Sequence, residues 1–207
     1  MVIAIIPIGM LEGAKSRLGA VLDAEERRDL AEALAGRTIR ASLATPGIAE
    51  TLIVTPDDAV RELALELGAR PLRQRTSGLN DGLREARAEA MAAGADAILV
   101  LPIDLPLVTS DAIAAVAATL DHATGPTIGI VADRHRRGTN VLLLSPPDVI
   151  DFCFGGDSHE AHLAAARVIG ATVVELGGPL RLDVDTADDL VLAERSQPGL
   201  AGDLARG

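Results

Sequence analysis

The sequence contains few aromatic residues: among its 207 residues there is no tryptophan, no tyrosine and only two phenylalanines, Phe152 and Phe154. Proteins that bind single-stranded nucleic acid stack the bases on aromatic side chains and follow the backbone with a cationic groove. The formal net charge of −11 argues against such a groove and against binding to an anionic membrane surface. We therefore expect neither nucleic acid nor a membrane as a partner, so local positive charge has to hold any anionic ligand.

Cysteine and long apolar segments are also scarce. The single Cys153 excludes a disulfide within the chain and is typical of a reducing compartment. No apolar run is long enough to span a bilayer, and the N-terminus lacks the basic segment of a signal peptide, so we expect a cytoplasmic protein. A chain of 207 residues that is 48% hydrophobic suffices for one domain, which we place over residues 1–197 with a flexible tail over residues 198–207.

Lysine occurs only once. Of the 19 basic residues 18 are arginine, and Lys15 lies in a glycine-containing loop, residues 9–18, after a strand predicted over residues 2–8. A compact ammonium suits a single phosphate group, whereas arginine prefers planar bidentate partners. The loop lacks Walker A spacing, but its glycines let backbone N–H groups approach an anion that Lys15 and Arg17 neutralise. The simpler alternative is that the position of the one lysine is incidental.

Strand and helix patterns alternate along the first half of the chain. Asp23 and Glu26 predict a capping box that opens a long helix, and Gly68 is predicted to end the next one. Apolar runs at residues 51–54 and from residue 97 up to Asp104 predict strands between the helices. Such alternation implies an α/β fold with a mostly parallel central sheet flanked by helices. The loops after the first and the central strand should then emerge together at the carboxyl edge, where such sheets bind ligands.

Two carboxylates are candidates for that edge. The central strand ends in Asp104, which is followed by Pro106, and an acid in this position is expected to meet a metal or a polar substrate. The ordinary alternative is an aspartate that caps the next turn. Asp185, at the start of the last predicted helix, offers a second carboxylate. Because Mg²⁺ takes one or two carboxylates together with substrate phosphates, we expect Asp104 and Asp185 to hold one ion.

The second half of the chain offers a cluster of arginines. Arg134, Arg136 and Arg137 lie in a tight connection between two predicted strands, which Gly-Thr-Asn closes at residues 138–140. This arrangement can form an anion pocket. An exposed hairpin with solvated charges is an equally common explanation.

A second candidate anion site follows Phe154. A Gly-Gly-Asp-Ser turn ends at Ser158 and opens a predicted helix, whose free N–H groups favour anions. Ordinary packing of phenylalanine and ordinary capping by serine explain the same residues. His159 and His162 are three residues apart on this helix, but a third metal ligand is not evident, so we place both on the helix surface.

Together the motifs form a recognisable set. It comprises Ala14-Lys15-Ser16-Arg17-Leu18, Gly78-Leu79-Asn80, Asp104-Leu105-Pro106, Gly138-Thr139-Asn140, Phe154-Gly155-x-x-Ser158 with His162, and Asp183-Val184-Asp185-Thr186. In order and spacing this set resembles the phospholactate and phosphoenolpyruvate guanylyltransferase family, which is similar to the nucleotidyltransferases that activate sugars and molybdopterin. Two positions differ, since the family has a lysine near Gly9 and commonly an aromatic residue where this chain has His159.

The resemblance implies a single-domain, Rossmann-like nucleotidyltransferase fold of the GT-A type. It also assigns roles to residues: Pro7, Gly9, Lys15, Ser16, Leu79 and Asn80 for binding GTP; Lys15, Arg17 and Asp104 for catalysis; Asp104 and Asp185 for Mg²⁺; and Thr139, Asn140, Gly155 and Ser158 for a phosphorylated three-carbon acid.

The implied reaction moves GMP from GTP to the phosphate of phosphoenolpyruvate or 2-phospholactate and releases pyrophosphate, in biosynthesis of the deazaflavin coenzyme F-420. The sequence is also compatible with 3-phosphoglycerate as the acceptor and with a homodimer. Two alternatives stay open. One is a molybdopterin or sugar-phosphate nucleotidyltransferase, and the other is a nucleotide-binding module without catalysis.

Overall fold

A seven-stranded sheet forms the centre of the protein in the computed structural model, which describes residues 1–200 and residue 202. The strands are Val2–Pro7 (β1), Ile48–Thr55 (β2), Arg70–Arg73 (β3), Ala97–Val100 (β4), Thr127–Ala132 (β5), Thr139–Ser145 (β6) and Thr172–Leu176 (β7). The α-helices are Ala24–Leu43 (α1), Asp58–Leu67 (α2), Leu79–Ala92 (α3), Ser110–Ala117 (α4), Ser158–Ile169 (α5) and Ala187–Ser196 (α6). Short 3₁₀ turns occupy Ser16–Leu18, Ala118–His122 and Pro179–Arg181.

The strand order is β3-β2-β1-β4-β6-β5-β7. β6 runs antiparallel to β4 and β5, whereas the other neighbouring strands pair in parallel, which confirms the predicted mostly parallel sheet. A strand that runs against its neighbours begins at the edge where they end. Thr139, the first residue of β6, therefore lies at the carboxyl edge, together with the loops that follow β1 and β4.

β1 is buried on both faces, as its continuous apolar run predicts. Because side chains alternate across a strand, Ile3 and Ile5 pack in the cluster beneath α3 and α5, while Ala4 and Ile6 pack beneath α1, α2 and α4. Each fully buried isoleucine contributes about 1.5–3 kcal/mol by transfer from water. This double burial fixes β1 in the sheet, and with it the place where the loop after β1 emerges.

Local signals in the sequence set several helix ends as predicted. Asp23 Oδ1 accepts a hydrogen bond from the N–H of Glu26 at 2.9 Å, and Glu26 Oε2 accepts from the N–H of Asp23 at 2.8 Å, which confirms the capping box. Gly68 ends α2 with a φ of 87°, a backbone conformation that side chains disfavour. These contacts depend only on neighbours in the sequence, which explains why pattern alone located them.

The C-terminal segment was predicted to be a tail from residue 198. Leu200 is buried in a small cluster with Leu18, Leu182 and Val184. Residues 201 and 203–207 of that predicted tail lie outside the described residues, so the boundary at residue 197 stays a prediction. Within the described part of the chain, no helix combines the length and the apolarity needed to cross a bilayer.

Candidate active site

Two cavities lie at the carboxyl edge of the sheet and share part of their walls. The small cavity, about 420 Å³, is lined mainly by residues 7–11 and 14–17 after β1. The large cavity, about 850 Å³, is lined by residues from 133–140, 154–158 and 183–189. Five residues line both cavities: Arg17, Leu79, Pro102, Asp104 and Asp185. A group bound in one cavity can therefore meet a group bound in the other beside the two carboxylates.

Lys15 reaches this shared wall from the loop after β1. Its Nζ forms an ion pair with Asp104 and donates a hydrogen bond of 2.7 Å to the carbonyl oxygen of Val184. The Lys15 side chain is only 6% exposed, and an ammonium buried to this degree requires such partners. Parallel pairing of β1 with β4 delivers both loops to one edge, which explains how residues 89 positions apart meet.

Arg17 and Asp185 form a second ion pair, 2.9 Å between Nη1 and Oδ2. The Arg17 side chain is 74% exposed, so solvent screens this pair and a bound anion can displace it at little cost. The backbone joins the two acidic segments as well, because the N–H of Val184 donates to the carbonyl oxygen of Asp104 at 2.9 Å. The structure thus brings together the four predicted charged residues, Lys15, Arg17, Asp104 and Asp185.

Asp104 and Asp185 are the carboxylates at this wall that could hold a divalent cation. Lys15 takes Oδ1 of Asp104 and Arg17 takes Oδ2 of Asp185, so each carboxylate keeps its other oxygen for a metal. Asp183 lines the large cavity beside them, and burial, together with the negative charges of Asp185 and Asp133, raises its pKa. A cation would relieve that repulsion. No group of three or more histidine, cysteine, aspartate or glutamate side chains is arranged for metal binding among the described residues, so phosphates or water would complete the ligands.

Five of the six residues predicted to bind the nucleotide line the small cavity: Pro7, Gly9, Lys15, Ser16 and Leu79. Asn80 is placed differently. Its carboxamide donates to the carbonyl oxygen of Phe154 and accepts from the N–H of Phe154, both at 2.9 Å. Asn80 therefore ties the start of α3 to the loop of the large cavity, and its contact with a nucleotide stays a prediction.

Asp57 is a functional candidate that pattern reasoning missed. It is buried two residues after β2, where Oδ1 accepts a hydrogen bond of 2.9 Å from the N–H of Ala59 and caps α2. Oδ2 accepts from the N–H of Leu11, also at 2.9 Å, and so anchors the wall of the small cavity. The available sequence signal is an aspartate at the start of the helix that Gly68 ends, but only the parallel pairing of β1 with β2 brings Leu11 within reach.

All four residues predicted for the phospho-acid line the large cavity: Thr139, Asn140, Gly155 and Ser158. Two of these side chains also form hydrogen bonds within the protein: Ser158 Oγ accepts from the N–H of Thr139 at 2.9 Å, and Asn140 Nδ2 donates to the carbonyl oxygen of Leu180 at 3.0 Å. Ser158 is the first residue of α5, and the cap position belongs to Asp157, whose side chain makes no capping bond. The alternative interpretation of Ser158 as an ordinary helix cap is therefore wrong.

The placement of the two histidines on the helix surface is also wrong. His159 is 5% exposed and His162 is fully buried, because α5 turns this face towards the sheet. The His162 ring packs edge-on against Phe154 with centroids 5.1 Å apart. Burial, and to a smaller extent the charge of His159, lowers the pKa of His162 to about 4, so the ring is neutral at pH 7.

Each of the three clustered arginines has an acidic partner. Arg134 pairs with Asp189 at 2.6 Å, Arg136 with Glu175 at 2.6 Å and Arg137 with Asp157 at 2.9 Å. Of these acids Asp189 is buried. Burial opposes its ionisation, but hydrogen bonds from Thr186 and the nearby Arg134 hold its pKa below the ordinary value. The Arg134 and Arg137 side chains line the large cavity, so they supply positive charge to it even while paired.

Known proteins resemble nearly the whole chain. A family model described as "Guanylyl transferase CofC like" matches residues 2–193. A protein of Rubrobacter xylanophilus named phosphoenolpyruvate guanylyltransferase is 45% identical over 197 residues, which is 94% of each chain. A protein of the same name from Sphaerobacter thermophilus is 40% identical over 203 residues, 97% of each chain.

Solved structures share the fold. A nucleotidyl transferase from Methanothermobacter thermautotrophicus has a TM-score of 0.66 at 21% identity, with 95% of this chain and 97% of that chain covered. A Desulfovibrio desulfuricans protein, provisionally assigned as a nucleotide-diphospho-sugar transferase, has a TM-score of 0.79 at 19% identity, with 99% and 94% covered. These two likenesses support the fold alone. The family match and the two relatives show that the chain belongs to the guanylyl transferase CofC-like family and is a transferase enzyme.

Proposed function

We propose that the chain transfers GMP from GTP to the phosphate of phosphoenolpyruvate or 2-phospholactate and releases pyrophosphate, in biosynthesis of coenzyme F-420. Relatives at 45% and 40% identity are named phosphoenolpyruvate guanylyltransferase. The structural observation that carries the proposal is the shared wall of the two cavities, where Arg17, Asp104 and Asp185 face both. A nucleotidyl transfer needs such a junction, because the donor and the acceptor have to meet at one phosphorus atom.

GTP occupies the small cavity in this proposal, and the phospho-acid occupies the large one. The acceptor phosphate is already an anion at neutral pH, so the reaction needs no general base, and catalysis rests on positioning and charge neutralisation. Lys15 and Arg17 stabilise the charge that develops on the departing pyrophosphate. Mg²⁺ held by Asp104 and Asp185 supplies additional positive charge at the phosphates when it is bound.

The large cavity holds the acceptor through donors at the start of β6 and α5. Thr139 and Ser158 present hydroxyl groups, and Gly155 leaves room for backbone contact, since a Cβ there would meet no atom within 4 Å. The amino end of α5 adds a positive dipole, which suits a phosphate or a carboxylate. Phe154 lines the same cavity and can cover the apolar body of a three-carbon acid.

Pyrophosphate release tests the proposal. The purified protein is incubated with GTP and Mg²⁺, with and without phosphoenolpyruvate, 2-phospholactate or 3-phosphoglycerate. We expect release that depends on one of these acids. A binding module would bind GTP without releasing pyrophosphate, and a nucleotidyltransferase of other specificity would respond only to a sugar phosphate or molybdopterin. Either result would overturn the proposal.

A further inference from the structure

The hydrogen bonds around His162 determine which ring nitrogen carries a proton. The backbone N–H of Cys153 donates to His162 Nε2 at 3.0 Å. A backbone N–H can only donate, so Nε2 has to be the unprotonated nitrogen of the ring. Because the buried ring is neutral, its one proton lies on Nδ1.

That tautomer sets the direction of the next hydrogen bond. Thr139 Oγ1 lies 3.0 Å from His162 Nδ1, and with the proton on Nδ1 the histidine donates and the hydroxyl oxygen accepts. The hydroxyl proton of Thr139 is then directed elsewhere. In the part of the chain that the structure describes, no protein acceptor is recorded for it, and Thr139 lines the large cavity.

Ser158 is arranged in the same way by a different donor. Its Oγ accepts from the N–H of Thr139 at 2.9 Å, so its hydroxyl proton is also left over, again without a recorded acceptor among the described residues. Ser158 is 1% exposed and lines the large cavity, as Thr139 does. Both hydroxyl oxygens therefore accept bonds within the protein, and both protons are available to a ligand.

We propose that His162 is a positioning residue that makes the Thr139 hydroxyl a donor, so that Thr139 and Ser158 together select a ligand group with acceptor oxygens only, a phosphate or a carboxylate. This inference rests on the proposed function, because it takes the phospho-acid as the occupant of the large cavity. With the opposite tautomer, Thr139 would present a lone pair to the anion and would repel it.

Two substitutions of His162 distinguish the positioning of the Thr139 hydroxyl from simple support of the loop that contains Cys153. His162→Asn places an amide N–H near the position of Nδ1 and keeps the donor to Thr139. His162→Gln places an amide oxygen near the position of Nε2 and keeps the acceptor for Cys153. A charged hydrogen bond is worth roughly 10-fold or more in affinity. We therefore expect His162→Gln to raise the acceptor KM by about that factor, His162→Asn to raise it much less, and neither to change the KM for GTP.

His159→Gln is the matched control, because His159 is buried on the same helix without lining the cavity and should leave both KM values unchanged. If His162→Gln kept the acceptor KM and His162→Asn raised it, His162 would only support the Cys153 loop and the inference would be wrong.

NMR of wild-type protein labelled with ¹⁵N-histidine gives an independent measurement that needs neither a variant nor a substrate. Multiple-bond ¹H–¹⁵N spectra report the tautomer directly, and we expect His162 to be neutral with its proton on Nδ1 at pH 7. A proton on Nε2, or a charged ring, would overturn the inference. Failure of wild-type protein to release pyrophosphate with any phospho-acid would instead overturn the proposed function, whatever the tautomer.

Discussion

The two cavities are built in different ways. The small cavity comes mainly from one stretch of chain, residues 7–17, which follows a strand that is buried on both faces. The large cavity is assembled from three distant segments that hydrogen-bond to one another, as the Ser158 side chain does with the backbone N–H of Thr139 across 19 positions. A site made by one stretch shows in the sequence as one motif, whereas the hydrogen bonds that join the segments of a composite site show only when the fold assembles it.

The residues around the small cavity (the small side) and those around the large cavity (the large side) also differ in how deeply their charged side chains are buried. Lys15 on the small side is buried and has one carboxylate and one carbonyl as partners. On the large side Arg134 and Arg137 are each paired with an aspartate too, but their side chains are 37% and 71% exposed. Because the residues of the shared wall line both cavities, substitutions there should impair the function of both. Substitutions beyond the shared wall should impair the function of one cavity. The expected effects below run from the largest to the smallest.

Asp104→Asn and Asp185→Asn test the shared wall. The amide keeps the shape but removes the charge that holds a cation and orients Lys15 or Arg17, so we expect turnover to fall by about 10²-fold or more with the fold retained. Steady-state pyrophosphate release and a melting curve measure the two properties. Asp188→Asn, an exposed acid on the same helix start, should be nearly silent. Near-normal turnover of both single variants at saturating Mg²⁺ would exclude the two-carboxylate site.

Lys15→Ala should separate the small side from the large one. The lysine contacts charge that grows as pyrophosphate departs, so its loss should lower kcat and raise the KM for GTP, by about 10-fold or more in kcat/KM. The KM for the phospho-acid should change little. If neither kcat nor the KM for GTP changed, the position of the only lysine would be incidental.

Ser158→Ala should act on the large side alone. Removing the hydroxyl deprives the ligand of a donor, and we expect the acceptor KM to rise by roughly 10-fold with the KM for GTP nearly unchanged. The same change leaves the buried N–H of Thr139 without its acceptor, which costs about 1–3 kcal/mol of unfolding free energy. Chemical denaturation measures that loss. A lower stability with an intact acceptor KM would place the acceptor elsewhere, next to Arg134 and Arg137.

The pH dependence of stability should report on the large side as well. The pKa of His162 falls from 6.5 in the unfolded chain to about 4 in the folded protein, so below pH 6.5 the unfolded state binds a proton that the folded state does not. The His162 contribution to the free energy of unfolding therefore decreases as the pH falls, by about 1 kcal/mol between pH 6.5 and 5.5. Urea denaturation of wild type and His162→Gln at both pH values should show a shallower decrease in the variant.

Sequence patterns predicted the structure correctly wherever the interactions that determine it lie within a single stretch of chain. The capping box at Asp23 and Glu26 depends on residues three positions apart, and the continuous apolar run of β1 requires burial on both faces. The alternation of strands and helices implied parallel pairing, which in turn placed the loop of Lys15 beside Asp104. The same patterns gave the fold class and, through the resemblance, the family.

Only the tertiary structure decided which residues contact one another around the large cavity. Residue patterns cannot show that β6 runs against its neighbours and so carries Thr139 to the carboxyl edge, because that depends on the strand order of the whole sheet. The burial of His162 and the hydrogen bonds between Asn80 and Phe154 also depend on the tertiary structure. The periodicity of α5 places both histidines on one face of the helix but does not say what that face packs against. The partners of these side chains lie up to 74 positions away in the chain, so their hydrogen bonds exist only once packing has fixed the segments that carry them.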